Sequence, residues 1–142
     1  TIQGPYWGYI MMQIISGKRG MDWRSLYYHH GYGGGGPITR GLIDNSRTRS
    51  SDQADVYISG HIHRRNMDEN IVRSITSRGN IEHRQQLHLR SSCWKDESQD
   101  EWHSGLMGRD PRPIGGWWLD VHIDKRGRKD NYQISKIVPV MI

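Results

Sequence analysis

The chain has no phenylalanine and a single cysteine in 142 residues. Without Phe, the aromatic part of any core falls to six Trp and seven Tyr, whose N–H and O–H groups need partners when buried. The lone Cys93 excludes an internal disulfide framework and fits a reducing compartment. Long apolar runs are missing too. The longest, Ile10 to Ile15, is broken by Gln13 and falls far short of the roughly 20 residues that span a bilayer. Acidic residues are in deficit, 15 against 20 Lys+Arg, for a net charge of +5. An anionic partner is therefore favoured, though the charge does not require one. The arginines, Arg40 to Arg90 among them, are scattered and make a broad basic field, not a localisation tag.

What is there is organised around one short segment. Ala54-Asp55-Val56-Tyr57-Ile58-Ser59-Gly60-His61-Ile62-His63 reads as a buried strand ending in a glycine and two histidines. Upstream, Leu26-Tyr27-Tyr28 has the same strand-like composition and runs into His29-His30-Gly31. Between them lie a glycine-rich loop, residues 31–37, and a weakly apolar stretch, Thr39 to Ser51, that supplies the one candidate crossover helix. Strand, loop, helix and strand make a βαβ unit with parallel strands. Both histidine clusters then fall at carboxyl strand ends on one edge of a sheet, where α/β proteins place ligands.

Outside that unit, Pro5 to Ser16 reads as a helix, with Pro in its first turn and Gly17 closing it. Ile71–Thr76, Gln86–Leu89, Trp117–Ile123 and Gln133–Val138 alternate as strands, the last two joined as an antiparallel hairpin. The expectation is one domain of the α/β type, an α+β sandwich. Its residues 1–65 form the βαβ part, and residues 66–142 are mainly antiparallel strands completing the sandwich.

Imidazole is a common ligand for zinc, iron and manganese, so the candidate metal residues are His29, His30, His61 and His63. Strand alternation allows one of His29 and His30 to reach an ion, and an extended backbone puts His61 and His63 on a shared face. Gly33 and Gly34 offer backbone N–H groups to a phosphate, and Arg64 and Arg65 follow the second cluster directly. Asp120-Val121-His122 and Gly79-Asn80-Ile81-Glu82-His83 have superficially metal-like spacing but lie within or beside the later strands. Ser91-Ser92-Cys93 has no activating base at readable spacing.

Asp55 to His63, with its closing G-H-x-H, resembles the last signature of the calcineurin-like metallophosphoesterases. His29-His30-Gly31 before a glycine stretch resembles that family's preceding histidine block, in the form found in phage and bacterial members related to nucleases. The resemblance covers about Met21 to Arg65. It implies the C-terminal half of a four-layer α/β/β/α sandwich and two divalent ions (Mn, Fe or Zn) activating water against a phosphodiester, DNA or RNA. It further implies a cytoplasmic location in a bacterium or a virus-infected host cell. By the family pattern His61 ligates one ion with His29 or His30, while His63 ligates the other. Arg64, Arg65, Gly33 and Gly34 would meet substrate phosphates. The family's earlier D-x-H, G-D-x-x-D and G-N-H-[DE] blocks do not occur in the 28 residues before His29, so they are expected upstream of Thr1 in a longer protein. The competing expectation is a non-catalytic basic module that binds nucleic acid, or a structural module with a vestigial metal site.

Overall fold

Two tyrosine-bearing strands lie side by side at the centre of the computed structural model, which describes residues 2–4, 6–16, 19–32, 42–94, 112–125 and 132–142. They are β3 (Arg19–His29) and β4 (Val56–Ser59), paired in parallel from Leu26↔Val56 to His29↔Ser59. Between them runs α1 (Leu42–Ser51), so the expected βαβ unit is present. β1 (Ile2–Gln3), β2 (Trp7–Ser16), β5 (Asn66–Ile75) and β6 (Ile81–Arg90) complete a six-stranded sheet in the order β1-β2-β3-β4-β6-β5. β7 (Trp117–Lys125) and β8 (Tyr132–Met141) form a separate antiparallel pair. The chain is thus a small, mostly β mixed α+β unit with one helix among its described residues.

One expectation is corrected. The segment 7–16 is a strand, not a helix. It pairs antiparallel with β3 from Trp7↔His29 to Ser16↔Arg19, with a bulge at Ile14/Ile15. Its apolar run suits either period, and the ladder offered by β3 decides between them; Met12 and Ile14 then turn towards the core. Within the second half β5 pairs antiparallel with β6 and β7 with β8. β6 returns to the centre and pairs in parallel with β4, Val56↔Leu87 to Ser59↔Arg90.

The register gives the three parallel strands two chemically distinct faces. Leu26, Val56, Leu87 and Leu89 point one way and pack against Ile134 and Ile137 of β8. This is the hydrophobic core, and Val56, Leu87 and Leu89 in it are fully buried. Tyr27, Tyr57 and His88, then His29, Ser59 and Arg90, form two rows on the opposite face. α1 covers that face, burying Asn45 and Thr48. A helix with so few apolar residues packs here because its partner surface is also polar. Asn45 Oδ1 accepts from Arg90 at 3.2 Å, and Arg49 pairs with Asp68 of β5 at 2.6 Å.

The β7–β8 pair is tied down by side chains that imitate a neighbouring strand. Gln85 donates through Nε2 to Ile137 O at 2.9 Å and accepts from Ile137 N at 2.8 Å. Asp22 accepts from Ile134 N at 2.8 Å, and Arg24 donates to Ile134 O at 2.5 Å. Main-chain groups on the open edge of β8 are thereby satisfied without a third strand.

Candidate metal centre

The strands that carry the histidines end together. β3 stops at His29 and β4 at Ser59, and the next residues, His30 and Gly60, are joined by a bond from Gly60 N to His30 O of 3.1 Å. Gly31, at φ +99°, makes the approach possible. A Cβ there would stand 2.7 Å from Gly60 O and 3.1 Å from His61 Cβ, too close for any side chain. The result is that His30 Nε2 lies 3.1 Å from His61 Nδ1, with ring centroids 5.0 Å apart.

The distance matches the separation of two nitrogens that share a cation. Two nitrogens each about 2.0–2.1 Å from one ion stand roughly 2.9–3.4 Å apart in octahedral or tetrahedral geometry. As it stands the contact is a hydrogen bond between the two rings, its donor set by the tautomer. Among the described residues no third His, Cys, Asp or Glu joins them in a group able to hold an ion.

The other candidate residues are placed differently. His29 turns towards α1, flanked by Tyr27 and Tyr32 at centroid distances of 5.7 and 6.0 Å. Burial, followed by the nearby charge of Arg90, lowers its pKa, and its Nε2 is buried without a hydrogen-bond partner. His61 and His63 do not share an extended face. Both adopt left-handed backbone, φ 70° and 50°, and Ile62 N turns back onto Gly60 O at 2.9 Å. His63 is half-buried, and its carbonyl accepts from Ser92 Oγ at 2.9 Å. Left-handed conformations outside glycine cost of order 1–3 kcal/mol and cluster at functional sites. Arg65 donates to Ile142 O at 2.9 Å, and Arg64 is half-buried beside it. Gly33 and Gly34 lie outside the described residues. Asp120 and His122 are exposed on β7, and His83 is exposed near the start of β6.

Beneath the strand ends lies a polar layer that the spacing of residues did not reveal. His88 is fully buried, stacked on Tyr57 at 5.4 Å and 7°, with Nε2 3.3 Å from Ser59 Oγ. Burial and then the Arg90 charge push its pKa down to about 3, so it is neutral at physiological pH. Arg90, 2% exposed, donates to Ser59 Oγ and Asn45 Oδ1, both neutral acceptors. Desolvation lowers its pKa, opposed by Asp44. On β2, burial and then Asp52 raise the Tyr9 phenol to about 12. Leu87-His88-Leu89-Arg90 reads as a strand with one wet face. The signal that both faces are covered was the polar helix, which needs a polar partner.

Compared with protein-family models, curated proteins and solved structures, the chain matches none. Among the described residues no helix is long and apolar enough to cross a membrane.

Proposed function

We propose that the chain carries the histidine-bearing part of a metal-dependent phosphoesterase acting on phosphodiesters, with nucleic acid as the substrate class. On this reading the helix, six-stranded sheet and two-stranded sheet belong to a four-layer α/β/β/α sandwich. The observation that carries the proposal is the 3.1 Å approach of His30 Nε2 to His61 Nδ1 at adjacent parallel strand ends. The G-H-x-H resemblance and the net charge of +5 agree with it. His30 and His61 would hold one divalent ion, with His63 left for a second. When bound, such ions polarise phosphoryl oxygens and lower the pKa of water. The chain's own part is positional. Gly31 and Gly60 bring the two loops together, and buried Arg90, level with His29 and Ser59 in the register, sets a positive charge beneath the strand ends.

The decisive assay uses the protein in its full reading frame, stripped with chelator and reloaded with Mn²⁺ or Zn²⁺, on bis(p-nitrophenyl) phosphate. Turnover is expected only with metal. His61→Ala should lower kcat about 100-fold or more, since outer partners of a ligand alone are worth 10–100-fold. A second reading, a basic module that binds nucleic acid without cleaving it, is favoured by the want of a third ligand beside His30 and His61 among the described residues. Salt-sensitive binding with no metal-dependent turnover would establish that reading instead.

A further inference from the structure

Beside His30, on the α1 side of the sheet, a cleft of about 340 Å³ opens, at the small end of ligand-site volumes. Its lining includes Tyr6, Trp7 and Tyr32, which are 69%, 51% and 49% exposed. Three large aromatic side chains left this open around one concavity are costly in water unless something covers them. His29 and Asp52 supply polar groups to the same cleft. His29 Nε2 is buried and has no partner, and an imidazole nitrogen serves as donor or acceptor according to its tautomer. The Asp52 carboxylate accepts one bond on each oxygen, from Tyr9 Oη at 3.2 Å and Ser51 Oγ at 3.1 Å. Each of those oxygens has a further lone pair to offer.

We propose that this cleft binds a nucleobase, so that the substrate is a nucleoside phosphate. A base is a flat ring with two π faces and a polar edge. Trp7 and Tyr32 offer stacking surfaces; His29 and Asp52 offer the donor and acceptor groups that an edge requires. His30 also lines the cleft; its ring faces Tyr6 edge-on at 6.1 Å and meets His61 through Nε2. A base held here leaves its phosphate beside the His30–His61 pair. The neighbouring histidines then divide the work, His30 at the ion and His29 at the base. The cleft rests on the phosphoesterase reading only for where the phosphate goes.

The test is calorimetric titration of the full protein, in EDTA, with adenosine 5′-monophosphate and with ribose 5-phosphate. The nucleotide should bind roughly 5- to 150-fold more tightly, the worth of one stacked base. Trp7→Ala and Tyr32→Ala should each bring that ratio towards one while leaving ribose 5-phosphate affinity unchanged. A ratio near one in the unmodified protein, or a ratio that survives both substitutions, overturns the proposal. Base discrimination without hydrolysis of any phosphodiester would uphold the cleft and remove the phosphoesterase reading. Hydrolysis without base discrimination would do the reverse.

Discussion

His30 Nε2 and His61 Nδ1 stand 3.1 Å apart although 31 positions separate them in the chain. The parallel register His29↔Ser59 brings the two strand ends level. Gly31 then lets one loop settle against the backbone of the other. The candidate site is therefore a property of two turns and of the sheet that aligns them.

Replacing Gly31 tests that dependence. Gly31→Ala places a methyl group 2.7 Å from Gly60 O at φ +99°. Gly79, in the β5–β6 turn at φ +81°, has nothing within 4 Å and serves as the comparison. Gly79→Ala should cost about 1 kcal/mol for backbone strain alone. Gly31→Ala should cost about 2 kcal/mol or more and weaken metal binding. Urea denaturation of both variants checks the difference, and equal losses would contradict it.

His88 predicts an acid-labile core. Its folded pKa of about 3 lies below the unfolded value of about 6.5. The folded state thus binds fewer protons than the unfolded one between those limits. The stability that His88 contributes as a neutral ring is complete above about pH 6.5. It falls by up to about 1.4 kcal/mol per pH unit as pH drops towards the folded pKa. His88→Gln should flatten the stability curve between pH 6.5 and 4.5 relative to the parent protein. Parallel curves would show that another group sets the acid limit.

Much of the central unit was legible because its signals are local. Val56-Tyr57-Ile58 and Leu26-Tyr27-Tyr28 carry their strand character in composition, and the stretch before Ser51 was the one available crossover helix. The misreading of 7–16 came from a run whose period is ambiguous until β3 is known to follow as its partner. The return of β6 to the centre depends on parallel pairing with β4, a long-range choice that its alternating residues do not announce. At the site, the choice between His29 and His30 turned on where β3 stops. His29 still obeys strand alternation and faces α1, whereas His30 is the first residue past the ladder. Positive φ at His61 and His63 had no signal in residue type, since such a conformation is a property of the turn.

The attachment of β8 through side chains predicts sensitivity at a position that looks replaceable. Gln85→Leu keeps the bulk but removes both bonds to Ile137. The exposed or half-satisfied main-chain groups should cost about 1–3 kcal/mol. Gln85→Glu keeps the acceptor but loses the donor to Ile137 O and sets a carboxylate where Nε2 now meets Glu69 Oε1 at 2.7 Å, so it should cost at least as much. Thermal denaturation showing no loss in Gln85→Leu would mean that the hydrophobic contacts of Ile134 and Ile137 alone hold the hairpin.

Arg90 is a buried cation whose bonded acceptors, Ser59 and Asn45, are both neutral. Asn45→Asp would put a carboxylate against the guanidinium at the present 3.2 Å contact. The expected gain is about 1–2 kcal/mol at neutral pH. The introduced carboxyl would titrate below its unfolded value, so the gain should shrink progressively as pH falls below about 3.9. Denaturant midpoints for the variant at pH 7 and pH 3 check both parts; a variant less stable at pH 7 would contradict the expectation.

The most direct test of the central claim is a metal titration of the stripped full protein, following cobalt(II) absorption or zinc calorimetry. Three single variants, His29→Ala, His30→Ala and His61→Ala, are compared with the parent. Loss of at least about tenfold in affinity for His30→Ala and His61→Ala, with His29→Ala close to the parent, is the predicted result. Binding that depends on His29 and survives loss of His30, or no binding by the parent at all, would contradict the pairing of His30 with His61 at one ion.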